Sequence, residues 1–335
     1  MASNNIALDF DCLYTNIYKA GYGVVLSEPT VAAVSGDGKY EVKSVGSEAK
    51  KIIGKTTENT KIVFPVFEGE IVNERVAAKL LNAFLTKTDC LSGLFGLEAV
   101  CSVPCGVDAN MLNSYSKTLK NAGITKVHYI EAPLLSALGQ RIPISDDTPC
   151  FVIDMAGGTT NIASLTLDGI IAGVSINYGA NKITTDIIDY IAEIYGIQIG
   201  ILTAEKIKNE IGSLDECDEL STVINGRDIK SGKPRTMVLK ANEVIIPIRK
   251  YFDKISEIAL SILSKLPPEV SAEIRNAGVY ISGISSTVYG LEKYYKEKLD
   301  MKVNIDPNSK TTVALGGGIA ISDSALIKKI AVKID

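Results

Sequence analysis

At 335 residues, with 46% hydrophobic and 22% charged side chains, the chain can bury more than one core, and its composition excludes a disordered protein. A net charge of −4 gives no overall attraction to nucleic acid, and no run of about eighteen apolar residues exists to cross a membrane as a helix. The single histidine, His128, excludes histidine-rich metal sites and reads as structural, while six cysteines without CxxC spacing read as reduced, buried thiols of a cytosolic protein.

The first five residues are polar, and the apolar run behind them is too short for a signal peptide. Residues 5–10 read as a strand carrying Asp9 near its end. A bend at Asp11, a strand containing Thr15 and a glycine turn at Gly21 and Gly23 then lead to a strand around residues 24–26. A turn at Gly36 and Gly38 precedes helices over 47–53 and 73–85, the latter with Val76, Leu80, Leu81 and Phe84 on one face. From Cys90 to Leu97, large apolar residues stand between glycines. The adjacent Leu94 and Phe95 are either tucked into a core or form an exposed tip for a membrane or partner, and the usual burial of such residues favours the core. A strand over 99–103, a helix over 107–122, a strand over 127–130 and a helix from Pro133 to Leu138 alternate as α/β layers do.

Residues 150–167, CFVIDMAGGTTNIASLTL, form the stretch around which the rest is arranged. An apolar run reaches Asp154, turns through Ala156, Gly157 and Gly158, and returns with the alternation of a half-buried strand. Two glycines let the backbone approach a ligand closely and aim successive N–H groups into one concavity, which suits a phosphate. Thr159 and Thr160 add donors, and Asp154 is able to hold a magnesium ion through water. A β-hairpin whose glycines only satisfy turn geometry gives the same pattern. The order around Asp9 matches the order around Asp154, and the two aspartates lie 145 positions apart. Such a repeat implies two similar lobes facing each other across a cleft.

Beyond this stretch, helices are expected over 184–195 and 203–212, the second capped by Thr203 and carrying Glu205 and Lys208 on one face, where a solvated ion pair is the plain alternative to a site. Residues 222–239 read as strands around a turn at Gly226-Arg227-Asp228, and a helix over 241–266 is expected to kink or break at Pro247. A strand over 279–283 ends on Gly283, helical residues 288–299 follow, and the small-residue helix 311–320 is expected to pack closely on a neighbour.

Five stretches, VVLSEPTVAA, VGSEAKKIIGKT, DMAGGTTNIASLTLDGII, IIDYIAEIYGIQIGILTAEKIKNEIGS and TTVALGGGIAI, follow one another in an order and spacing that resembles the MreB family of bacterial actin homologues nearly end to end. Its divergence resembles that of the duplicated paralogues of wall-less helical bacteria. The resemblance implies an α/β, actin-like fold in which two similar lobes of ribonuclease-H-like subdomains, residues 1–145 and 146–335, enclose a nucleotide cleft. It implies ATP with Mg2+ in that cleft, and self-assembly into double protofilaments on the cytoplasmic, inner face of the cell membrane for shape or motility. Carried over by position, Asp9 and Thr15 belong to a first phosphate loop, and Asp154, Gly157, Gly158, Thr159 and Thr160 to a second. Asp9 and Asp154 then hold the metal through water, Glu205 and Lys208 flank the adenosine, and Gly283 lies on its other side. Leu94 and Phe95 match the position of a membrane-inserting apolar pair, which reverses the preference for a core role.

Four segments depart from the family pattern. The first phosphate loop, Asp-x-Gly-Thr in the family, here reads Asp9-Phe10-Asp11-Cys12, which sets a negative side chain where bare backbone meets phosphate. The catalytic glutamate that precedes a proline is replaced by Ala132, and alanine cannot deprotonate a water; Glu131 is adjacent but should point elsewhere. Gly-Gly-Gly has become Gly283-Ile284-Ser285, and Gly-Asp-Glu has become Ala180-Asn181-Lys182. The function that follows is a filament protein with weak or lost ATP hydrolysis. An ATPase served by another carboxylate, and an adaptor that copolymerises with active paralogues, are the alternatives.

Overall fold

The computed structural model describes residues 5–36, 41–91 and 96–333; Leu94 and Phe95 lie outside them. The first half folds as β1 (Ile6–Phe10), β2 (Tyr14–Lys19), β3 (Gly23–Pro29), β4 (Ala32–Ser35), β5 (Val42–Val45), α1 (Gly46–Lys51), β6 (Thr60–Val63), β7 (Val66–Phe67), β8 (Glu70–Ile71), α2 (Glu74–Lys87), β9 (Leu97–Val103), α3 (Ala109–Ala122), β10 (Ile124–Glu131) and α4 (Ala132–Gly139). The second half continues with β11 (Cys150–Met155), β12 (Thr160–Thr166), β13 (Gly169–Ile176), α5 (Ala180–Tyr195), β14 (Ile197–Gln198), α6 (Ile201–Ile211), β15 (Ser221–Asp228), β16 (Pro234–Lys240), α7 (Ala241–Leu263), α8 (Pro268–Ala277) and β17 (Val279–Ser282). A 3-10 turn (Ile284–Thr287), α9 (Leu291–Leu299), β18 (Val303–Ile305), α10 (Thr312–Ile321) and α11 (Ser324–Ile330) complete it.

Each half is built on one five-stranded sheet, and the two have the same order: β10-β9-β1-β2-β3 and β18-β17-β11-β12-β13. The strand bearing the aspartate has a hairpin partner on one side and a parallel neighbour on the other, β2 and β9 for β1, β12 and β17 for β11. A central strand covered on both faces is apolar along most of its length, and β11 is buried at every position, Asp154 included. One core, around Leu8, Phe84 and Leu119, lies in the first half; a second, around Ile153, Tyr251 and Phe252, lies in the second. A third joins them, packing Ala7 and Val100 of one sheet and Val152 and Leu165 of the other against α4, α10 and α11 through Leu134, Leu135, Ile321 and Ile327. Among the described residues no helix is long and apolar enough to cross a membrane.

Four local expectations are corrected. The hairpin turn lies at residues 229–233, because β15 runs on through Gly226, whose missing side chain lets Ile197 and Gln198 of β14 close in. Helix α6 begins after Gly200, so Thr203 stands inside it and is not its cap. Pro247 leaves α7 unbroken: its ring is buried together with Ile248, Tyr251, Phe252 and Ile255, and that apolar face outweighs one missing backbone hydrogen bond. Finally, Cys217 is exposed and Cys105 half-buried, while the other four thiols are buried; no two of the six are joined by a disulfide.

The small-residue helix α10 seats backbone on backbone. A methyl group at Gly316 would lie 1.8 Å from the Leu135 carbonyl oxygen of α4, and one at Gly139 would lie 2.0 Å from that of Thr312. Neither carbonyl is free to retreat, since each belongs to a helix. Gly316→Ala should therefore lower unfolding stability by about 2 kcal/mol or more, measured by urea denaturation, whereas alanine at the exposed interior of α8 should not.

Candidate functional site

The two aspartates are held in the same way. The β1–β2 register sets Asn16 opposite Asp9, and the β11–β12 register sets Asn161 opposite Asp154. Each asparagine donates Nδ2–H to its aspartate, at 3.1 Å in the first hairpin and 3.4 Å in the second. The parallel neighbour supplies a serine to the other carboxylate oxygen, Ser102 at 2.9 Å to Asp9 and Ser282 at 2.8 Å to Asp154. Burial pushes the Asp9 carboxyl up to about 7, helped by the charge of Asp11, with Asn16 and Ser102 opposing. Burial likewise pushes Asp154 up to about 6 against the donors Ser282 and Asn161.

Asp11 crosses from the first loop into the second. Its Oδ2 accepts from the Gly157 N–H at 2.8 Å and the Leu13 N–H at 3.3 Å, and its Oδ1 accepts from the Gly158 N–H at 3.2 Å. Desolvation raises the Asp11 pKa, and the surrounding backbone N–H groups pull it back. The loops mesh so tightly that a methyl group at Gly157 would lie 2.2 Å from Asp11 Oδ2, and one at Gly158 would lie 2.9 Å from Cys12 Sγ. Two pockets of about 30 Å3 each remain, one bordered by Asp9, Asp11, Asp154, Gly157, Gly283 and Lys310, the other by Asp9, Asp11, Ala132, Asp154, Thr159 and Asn161. Each has the volume of about one water molecule, and carboxylates and glycine backbone form much of its wall.

Beside them, past Ile284, opens a groove of about 860 Å3 lined by Ala180, Lys208, Gly212, Ser285 and Tyr289, among others. Its size is that of a small-molecule site. Lys208 Nζ donates to the Ala180 carbonyl at 3.2 Å and to Thr184 Oγ1 at 3.1 Å, and burial pulls its pKa down to about 8. Glu205 is not its partner: it pairs at 2.7 Å with Lys50 of α1, an ion pair between the halves. The groove thus fits the nucleoside part of ATP, whereas the phosphate end, filled by Asp11, does not fit the rest.

The structure brings Asp9, Asp154, Gly157, Gly158, Thr159 and Gly283 together at the meeting of the two loops. It keeps two threonine hydroxyls out. Thr15 Oγ1 is buried against Thr30 Oγ1 at 2.9 Å, and Thr160 Oγ1 donates to the Tyr178 carbonyl at 2.7 Å. Glu131 accepts from the Gly106 N–H at 2.6 Å, which leaves the methyl of Ala132 as the side chain facing the pocket. Sequence reading missed Asn16 and Asn161, although each follows its aspartate by seven residues. It also missed Ser102, Ser282 and Lys310, which arrive from distant segments; Lys310 Nζ lies 3.5 Å from the centroid of the Tyr14 ring at the same pocket.

Two matching sheets, aspartate-bearing hairpins facing across a cleft, and helices packed between the halves define a two-lobed actin-like protein. The MreB/Mbl family model matches residues 3–329, and the chain belongs to that family. It is 32% identical over 326 residues to the cell shape-determining protein MreB of Escherichia coli, covering 96% of this chain and 94% of the relative. To the cell shape-determining protein Mbl of Bacillus subtilis it is 30% identical over 333 residues, covering 98% and 99%. The crystal structure of MreB5 of Spiroplasma citri bound to ADP superposes with a TM-score of 0.89 at 28% identity, covering 97% of this chain and 98% of that one.

The raised carboxyls fix the sign of one pH dependence. Above the ordinary value of 3.8 the unfolded chain ionises while Asp9 in the folded chain keeps its proton up to about 7, so the folded state binds more protons and this group's contribution falls as pH rises through that window. Asp9→Asn removes that dependence. Its stability relative to the parent should improve by about 1 kcal/mol or more between acid and neutral pH, read from urea midpoints at each pH.

Proposed function

We propose that this chain is a filament-forming, actin-like cytoskeletal protein acting in cell shape or motility at the inner face of the cell membrane, with weak or lost ATP hydrolysis. Membership of a family whose relatives are cell shape-determining proteins supports the cytoskeletal part. The observation that carries the second part is the state of the cleft within an intact two-lobed frame. Ala132 faces the pocket where a water-activating carboxylate belongs, and Glu131 is turned to the Gly106 N–H. Loss of a general base lowers a rate by about two to four orders of magnitude. The membrane part rests on the adjacent Leu94 and Phe95 in a glycine-flanked stretch.

High-speed sedimentation of the purified chain, with and without magnesium-ATP and with released phosphate assayed in the same tube, tests the reading. Pelleting above a critical concentration without phosphate above the buffer blank is the expected result. Steady phosphate release overturns the hydrolysis part, and a protein that stays in the supernatant throughout overturns self-assembly in favour of an adaptor that needs a paralogue. In a separate flotation assay, serine at both Leu94 and Phe95 should abolish binding to anionic vesicles while leaving sedimentation intact.

A further inference from the structure

We propose that the Asp11 carboxylate is a built-in substitute for a nucleotide phosphate: it occupies the Gly157–Gly158 N–H groups from the opposite half and thereby decides what the cleft accepts. A glycine pair with two N–H groups aimed at one point is an anion site, and here both bonds end on one carboxylate, at 2.8 and 3.2 Å. The fit is mutual. Only a bare Cα at Gly157 admits Asp11 Oδ2, and the Leu13 N–H closes the carboxylate from its own side.

Three consequences follow. The contact is intramolecular, so the carboxylate competes at an effective concentration on the order of millimolar or higher with any free anion. An incoming phosphate has to displace it and then share a pocket with the carboxylates of Asp9, Asp11 and Asp154, whose like charges repel it and are set against the one positive charge of Lys310. And the two halves are joined at this point without any ligand, reinforced by the Cys105 N–H donating to Asn161 Oδ1 at 3.0 Å and by the pair Lys50–Glu205. A phosphate that bridges two loops draws two lobes together; here a side chain makes that bridge in the absence of a ligand. Asp11 is a positioning and specificity residue, with no part in bond making.

Asp11→Gly restores bare backbone and frees both N–H groups. Asp11→Asn keeps the shape and one acceptor but removes the charge, and it carries the test should the glycine variant fail to fold. The full chain and both variants are titrated with magnesium-ATP by calorimetry, and amide hydrogen exchange is followed in the peptide containing Gly157 and Gly158, without and with nucleotide. The parent should protect this peptide without nucleotide and bind magnesium-ATP at least about tenfold more weakly than Asp11→Gly, with Asp11→Asn between them. Asp11→Gly should exchange faster until nucleotide is added. Equal ATP affinity in parent and variants, or exchange in the nucleotide-free parent as fast as in Asp11→Gly, overturns the assignment. These readouts are independent of sedimentation, so failure to form filaments leaves the assignment standing, and its failure leaves the filament reading standing.

Discussion

Two adjacent N–H groups at the turn of a glycine loop have to be met by an acceptor if they are to be buried, and the structure meets them with a carboxylate from the other half of the molecule. Much of the cleft depends on that contact. It explains why Gly157 and Gly158 must lack side chains here, since Asp11, Leu13 and Cys12 fill the space where a Cβ would stand. It also explains the size of what remains: two voids of about 30 Å3 where the loops meet, against a groove of about 860 Å3 just beyond Ile284.

The frame that makes such a contact possible is duplicated. Each aspartate stands at the end of a central strand, faces an asparagine across its hairpin and takes a serine from the parallel neighbour. Neutral donors orient the carboxylates but do not offset the cost of desolvating their charge, which is why both groups titrate high. Asp11 adds a third carboxylate close by. Three carboxylates against the single charge of Lys310 at this pocket disfavour further anions, and the backbone N–H groups that would have welcomed one are already engaged.

Between the halves, packing sets the distance. The backbones of α4 and α10 touch at Gly139 and Gly316, and Gly317 brings α10 down onto Ala7 of β1. Ser136 of α4 and Ser282 of β17 share a hydrogen bond of 2.7 Å, so the helix between the sheets also reaches the support of Asp154. The ion pair Lys50–Glu205 is partly exposed at both ends and contributes little on its own. Close apolar packing, with no tolerance for an added methyl, does more to fix the two sheets relative to each other than the charges at the rim.

The sequence alone determined the elements and their duplication, because hydrophobic period, glycine turns and the repeated aspartate hairpin are local properties that a chain carries along its length. It also showed that position 132 lacks a carboxylate and that Asp11 is an anomaly in a phosphate loop, since both are identities at fixed positions. It overstated Thr15 and Thr160: a hydroxyl next to a glycine turn reads as a ligand, and only the surrounding core shows that Thr30 and Tyr178 claim it. Helical spacing set Glu205 and Lys208 on one face, with an ion pair between them as the plain alternative to a site, while the approach of α1 gave Glu205 a different partner. What tertiary structure alone decided was where the Asp11 carboxylate ends. A charge facing bare backbone 146 residues away in sequence becomes a bond only when two sheets and the helices between them set the loops in contact, and no local pattern encodes that distance.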